Sequence, residues 1–310
     1  SREGTLVYLS GGLTGGLSEK MLVSVDREGV ETVLPIASNE YAAASVAPDG
    51  LRVVLELGSV ENFDVWISDI ARGTLSRLTT DIGLFNNPIW NKDGSGVVFA
   101  SERTGEWGLY QQAVDGRDDA SLLVEIPGAL PFLVPNSWTP NGDQLVFSYR
   151  MPGRSFDIGV LENDGSGQWS PLLDSSNSEK SASVSPDGQW IAYVSNETGV
   201  SEVFLEPFPG LGLKTQISAA GGQAPLWSPN GDELYYRTLN TGALMSVQIT
   251  VSPTLTISSP VQLGDGDYAL SRFGLRMYDL FPDGDRFLMF REVEEEDHSI
   301  HVVLNAFNEL

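Results

Sequence analysis

Along most of the chain, apolar residues alternate with polar ones or run on for four to seven positions, and then a turn signal arrives. The strongest runs are Arg52–Leu57, Gly96–Ser101, Gln144–Tyr149, Gln189–Ser195, Glu233–Thr238 and Arg286–Arg291. They are rich in Val, Phe, Tyr and Ile, which predicts strands covered on both faces. A shorter run precedes each, as in Ala42–Ala47 and Ala224–Ser228. A third set follows: Phe63–Ser68, Trp107–Ala113, Phe156–Leu161, Glu202–Glu206, Ala243–Ile249 and Ile300–Leu304. A short, polar fourth strand closes the unit, as in Thr74–Leu78 and Lys214–Ile217. The start of the chain adds Thr5–Ser10, Met21–Asp26 and Glu31–Ile36, and almost nothing carries a helical period.

Between the first and second strands sits one recurring turn. Its copies are Ala47-Pro48-Asp49-Gly50, Asn91-Lys92-Asp93-Gly94, Thr139-Pro140-Asn141-Gly142, Ser185-Pro186-Asp187-Gly188, Ser228-Pro229-Asn230-Gly231 and Phe281-Pro282-Asp283-Gly284. Pro pre-sets φ, Asp or Asn tolerates the third position, and Gly takes the positive φ that closes the hairpin. The steps between the glycines are 44, 48, 46, 43 and 53 residues, and Gly4 ends a degenerate copy 46 residues before Gly50. Four strands at such a repeat length predict the blades of an all-β propeller.

Six inner strands favour six four-stranded antiparallel blades, with repeats at about 37–81, 82–126, 127–175, 176–219, 220–264 and 265–310 of a single 1–310 domain. Residues 1–36 then form a partial or closing blade that docks beside the last one. A seven-bladed ring with an incomplete first blade is the alternative. Ser1 opens inside the degenerate copy, so the chain reads as a mature or excised piece.

Charge narrows the partners. Lys plus Arg is 18 and Asp plus Glu is 42 in 310 residues, a formal net charge of −24. That field repels phosphate backbones, so nucleic acid is not an expected partner, and anionic membrane surfaces are disfavoured. No apolar run approaches the ~18 residues of a membrane-spanning helix. Cysteine is absent, which removes disulfides, thiolate metal sites and thiol nucleophiles.

The turns, the segment Ser195-Asn196-Glu197-Thr198-Gly199 and the run Ser201-Glu202-Val203-Phe204-Leu205-Glu206-Pro207-Phe208-Pro209-Gly210 resemble the TolB-like propeller family. More narrowly, they resemble the propeller C-terminal to bacterial eukaryotic-type serine/threonine kinases. Arg72-Gly73-Thr74-Leu75-Ser76-Arg77-Leu78-Thr79 and the ending Val302–Leu310 are similar to those proteins too. The resemblance implies a bacterial sensor or protein-interaction module, periplasmic or extracellular more than cytoplasmic. The chain has no kinase signature of its own: no Gly-rich loop with a strand Lys, no His-Arg-Asp, no Asp-Phe-Gly.

Candidate chemistry is sparse. No Gly-x-Ser-x-Gly occurs, and Asp93-Gly94-Ser95-Gly96 and Asp164-Gly165-Ser166-Gly167 read as hairpin loops. Gly11–Gly16 lacks the Lys-Ser/Thr ending of a phosphate loop. His298 and His301, three apart beside Glu292-Val293-Glu294-Glu295-Glu296-Asp297, read as a solvated acidic loop. Gly264-Asp265-Gly266-Asp267 reads as a turn, with calcium as its sharper alternative. The turn acids Asp49, Asp93, Asp187 and Asp283 serve the turns. Asp64 and Asp157 are expected to fix the loops before them by hydrogen bonding. Trp90, Trp138 and Trp227 fall at equivalent positions, which argues for packing between blades. No catalytic residue, cofactor or metal ligand is assigned.

A propeller binds where the loops entering its inner strands converge. The candidates there are Tyr41, Asn86, Phe132, Lys180, Gln223 and Arg276, chosen by position. The expected function is non-enzymatic recognition of a protein or ligand, with a calcium-dependent lactonase or glycan lyase as the alternative. Gly50, Gly94, Gly142, Gly188, Gly231 and Gly284 are expected to be structural.

Overall fold

The computed structural model describes residues 6–9, 18–59, 62–80, 85–251, 255–264, 266–270, 276–293 and 300–303. Among them there is no helix, and the strands form six antiparallel blades. Blade 1 runs from its inner strand outward as Tyr41–Val46, Arg52–Ser59, Asn62–Asp69 and Thr74–Arg77. Blade 2 is Phe85–Trp90, Gly96–Ser101, Gly108–Ala113 and Ser121–Glu125. Blade 3 is Val134–Trp138, Gln144–Arg150, Phe156–Glu162 and Trp169–Leu173. Blade 4 is Glu179–Val184, Trp190–Ser195, Glu202–Pro207 and Thr215–Gln216. Blade 5 is Gly222–Trp227, Glu233–Thr238 and Leu244–Thr250, edged by both Thr256–Ile257 and Val261–Leu263.

Blade 6 settles how the ring closes. Its inner strands are Tyr278–Leu280 and Arg286–Glu292, and its outer strands come from the beginning of the chain, Lys20–Asp26 and Glu31–Val33. Lys20–Asp26 pairs with Arg286–Glu292 over all seven residues and buries Leu22, Val23 and Val25. That full-length pairing takes the place expected for Ile300–Leu304. Ile300–Val303 instead pairs with Leu6–Leu9 in a separate two-stranded ribbon. The ring has six blades, not seven.

The core explains why the sequence runs apolar where a half-exposed sheet would alternate. Apolar side chains fill six wedges, one between each pair of neighbouring blades. Val98, Leu109, Leu145 and Phe147 join blades 2 and 3. Leu22, Leu55 and Phe290 join blades 6 and 1. The other four junctions are filled in the same way. A middle strand therefore meets a wedge on each face, and Gly96–Ser101 is buried at every position.

The repeated turns lie at one end of the ring and behave as expected. In each copy the glycine N–H donates to the carbonyl three residues back, at 2.8–3.0 Å. The glycines take φ of +69° to +78°. A Cβ on Gly50, Gly188, Gly231 or Gly284 would sit 3.2–3.4 Å from the turn proline of the preceding blade. The contact from Gly50 to Pro282 carries this circle across the seam. Asp49, Asp93, Asp187 and Asp283 each accept the N–H two residues on. Asp93 and Asp164 bind Ser95 and Ser166 in the same manner, so these serines are turn residues.

A salt bridge ties the borrowed outer strands to blade 5. Arg27, in the turn between them, reaches Glu233 with both guanidinium nitrogens at 2.7 and 2.9 Å and donates to the Tyr235 hydroxyl at 2.7 Å. Burial pushes the Glu233 carboxyl up, but bonds from Arg27, Ser246 and Tyr235 outweigh it and hold it below the usual range.

Candidate functional site

The inner strands line the axis, and the residues facing it change character from one end to the other. Neighbouring blades are stitched together around the axis at every junction, next to the turns at five of them and beside the inlet between blades 5 and 6. The Trp90 indole donates to the Ser45 carbonyl at 2.9 Å, Trp138 to Trp90 at 3.1 Å, and Trp227 to Ser183 at 3.1 Å. Where tryptophan is missing, other groups serve. The Val184 N–H donates to Ser137 Oγ at 3.2 Å, the Tyr278 hydroxyl to the Ala224 carbonyl at 2.7 Å, and the Val46 N–H to Asp279 Oδ2 at 2.8 Å. The equivalent tryptophans thus join blades, as their spacing implies.

At the opposite end, where the chain enters the inner strands, five of the six strands slip register by a bulge. The shifts fall between Tyr41 and Ala43, Asn86 and Ile89, Pro135 and Ser137, Lys180 and Ser183, and Gln223 and Leu226. Three bulge residues other than glycine take positive φ: Asn87 at 52°, Ser181 at 56° and Ala224 at 52°. Such conformations cost about 1–3 kcal/mol each and persist only where surrounding structure holds them. Here the second strand of the preceding blade holds two of the three. Glu56 Oε2 accepts the Asn87 N–H at 2.6 Å, and Ser148 Oγ accepts the Ser181 N–H at 3.1 Å.

These bulges rim a narrow inlet funnel, whose lining includes Asn87, Asn136, Ser148, Phe156, Lys180, Ser181, Ala224, Arg276 and the prolines Pro88, Pro135 and Pro225. It encloses about 50 Å³, whereas the cavity at the turn end encloses about 380 Å³. Ile89, Asn136 and Arg276 line both, so they form the neck between them. The Asn136 oxygen accepts from Ser148 Oγ at 2.5 Å and from the Ala182 N–H at 3.4 Å, which leaves its NH₂ as the group offered to the axis. The Lys180 ammonium lies 5.5 Å from the Phe156 ring centre, and burial lowers its pKa. Behind the wall, burial pushes the Glu56 carboxyl up to about 7, against the opposing bond from the Asn87 N–H.

Of the six positional candidates, the structure brings two to the funnel, Lys180 and Arg276. Gln223 shares their repeat position but is buried. Asn86 belongs to the inner strand of blade 2; its side chain lies outside the described residues. Tyr41 stands one residue earlier in the repeat, and the period of two along a strand turns it to the other face, while Phe132 stands two residues earlier, in the loop before Val134–Trp138. Tyr41 is fully buried, its hydroxyl bonded to the Ala37 carbonyl at 2.5 Å. Phe132 packs edge-on against Phe156. Asn136, Ser148 and Glu56 were not picked from sequence. Only the six turns, used as a ruler, place them, at fixed offsets from each turn glycine.

The remaining sequence candidates fall away from the axis. Asp157 accepts from Arg154 in the loop before it, as expected. Asp64 instead accepts from Arg77 at 2.8 Å and Thr79 at 3.1 Å, and so clamps the third strand to the edge that follows. The Gly11–Gly16 stretch, Asp265, Glu294–Asp297 and His298 lie outside the described residues, as does the side chain of His301. Among the described residues no group of three His, Asp or Glu side chains is arranged to hold a metal.

Comparison with known proteins agrees with this architecture. The Tol-Pal system protein TolB of Francisella tularensis (strain WY96-3418) is 27% identical over 198 residues, 61% of this chain and 44% of that protein. The chain therefore matches less than half the length of that relative. A solved structure of a putative TolB from Agrobacterium tumefaciens superposes with a TM-score of 0.67 at 18% identity, covering 90% of this chain and 99% of the other. An oligogalacturonate lyase in complex with manganese shares the fold alone, with a TM-score of 0.55 at 11% identity over 90% of this chain and 98% of its own. A family profile described as PD40, the TolB beta propeller domain, matches residues 20–230, and the chain belongs to that family.

Proposed function

We propose that this chain is a non-enzymatic recognition module that receives a segment of a partner protein, or a ligand, in its inlet funnel. The observation that carries the reading is the contrast between its ends. The strained bulges and the blade-specific side chains gather at the inlet, while the turn end repeats one hydrogen-bonded turn six times. The relative's place in a Tol-Pal system supports a protein partner and a setting outside the cytoplasm. The charge of −24 argues against nucleic acid. Among the described residues no helix is long and apolar enough to cross a membrane.

The enzymatic alternative has less behind it. The lyase likeness is one of fold, and among the described residues no carboxylate lines the inlet funnel. A sensor role beside a kinase rests on the resemblance of particular segments and has no further support.

The test is photo-crosslinking in the source cells. A benzophenone side chain is placed at Phe156 in the funnel, at Leu51 beside a turn, and at Leu213 on the outer rim. Discrete protein adducts from position 156 alone are the expected result. Adducts of equal yield from all three positions, or from 51 or 213 alone, would reject the reading.

A further inference from the structure

Arg276 and Lys180 put two cations into one narrow funnel of a strongly acidic protein. The chain holds 18 basic residues against 42 acidic ones, yet among the described residues the funnel lining contains both of these cations and no carboxylate. Many described arginines answer an acid: Arg27 with Glu233, Arg52 with Asp49, Arg77 with Asp64, Arg286 with Asp283. Arg276 makes no ion pair or hydrogen bond among the described residues, although it stands at the neck of the channel. Asp279 is the acid nearest to it in sequence on the inner strand, and it is spent on the backbone N–H groups of Val46 and Leu280. A guanidinium held in a recess without an anion is the arrangement that a charge-assisted, bidentate bond would complete.

Size and wall chemistry narrow the anion. About 50 Å³ is room for a few waters or for one carboxylate. The approach passes prolines and alanines, flat apolar surfaces that suit an extended backbone with small side chains. Building on the recognition reading above, we propose that the inlet funnel is a carboxylate subsite for an extended peptide, with Arg276 and Lys180 gripping the anion and the Asn136 NH₂ as a third donor. The carboxylate belongs to a chain terminus or to an Asp or Glu side chain of the partner segment.

The experiment is calorimetric titration of the intact protein with three short Ala/Pro peptides and with inorganic phosphate. One peptide has a free C-terminal carboxylate, one is amidated and neutral, and one is amidated with a central Asp. At least one carboxylate peptide is expected to bind ten-fold or more tightly than the neutral one, and which of the two does so identifies the source. Phosphate is expected to bind more weakly than that peptide. Arg276→Met and Lys180→Met should each weaken binding at least ten-fold, while Lys92→Met at the turn end leaves it unchanged. Raising salt from about 50 to 500 mM should weaken wild-type binding, a readout that needs no variant. Equal binding of the neutral peptide or of phosphate, or wild-type affinity in both inlet variants, would overturn the proposal. If crosslinking from position 156 survives in the Arg276→Met, Lys180→Met double variant, recognition stands and the carboxylate assignment alone falls.

Discussion

The two ends of the axis are built on opposite plans. At the turn end one plan recurs around the ring: a type I turn in every blade, a glycine facing its neighbour's proline at four of the six junctions, and a bond between blades at five of them. At the inlet the aligned positions vary around the ring, with Ala43, Asn87, Pro135, Ser181 and Ala224 at the same offset from the turn glycine in blades 1 to 5. Repetition satisfies a demand that every junction shares, which is to hold the wedge shut. Variation at the same radius, with strained backbone tolerated, means that a different demand operates there. The teaching is that in a ring of near-identical units, the place where the units stop agreeing is the place to look for function.

The comparison can be broken in three ways, with effects of decreasing size. Gly188→Val places a β-branched residue at φ +70°, with its Cβ 3.2 Å from Pro140. Chemical denaturation should show a loss of about 2–4 kcal/mol, with ligand affinity of the surviving folded protein unchanged. Glu56→Gln tests the inlet. The folded chain holds the Glu56 proton more tightly than the unfolded chain, because its carboxyl is pushed up to about 7. Wild-type stability from this group is therefore full below the ordinary carboxylate pKa and declines as pH rises through about 7. Glutamine keeps an oxygen for the Asn87 N–H and does not titrate. It should match wild type near pH 4 and exceed it by about 3 kcal/mol near pH 8, read from paired urea melts. Trp138→Phe removes the indole bond to the Trp90 carbonyl and should cost about 1–2 kcal/mol, independent of pH. A Gly188→Val change that altered peptide binding as much as stability would erase the distinction between the ends.

What could be read from the chain follows the same division. Six turns at a near-constant step announced the blades, because Pro-Asp-Gly chemistry is local and does not depend on tertiary context. The tryptophans and the turn acids were legible for the same reason. The inlet was not, since a bulge adds one residue and reverses which side chains face the axis. Counting back eight residues from the turn glycine leads to Lys180 and Arg276 on the funnel lining, whereas Tyr41 and Phe132 stand one and two residues earlier in the repeat. Glu56 was hidden differently: nothing in Leu55-Glu56-Leu57 distinguishes a carboxylate that caps a neighbouring blade from one in solvent. The fate of Ile300–Leu304 was also beyond local reading. Its run suits a third strand, and only the competition from Lys20–Asp26 displaces it.

The borrowed strands of blade 6 have a consequence for how the molecule is made. Lys20–Asp26 is translated ahead of the five whole blades, but its partner Arg286–Glu292 leaves the ribosome only after all of them. Until then the emerging chain carries an unsatisfied strand at each extremity, and bringing them together is the most distant contact in the ring. Any truncated product that stops before residue 286 lacks the means to seal itself, and its unpaired edge marks it for chaperones and proteases.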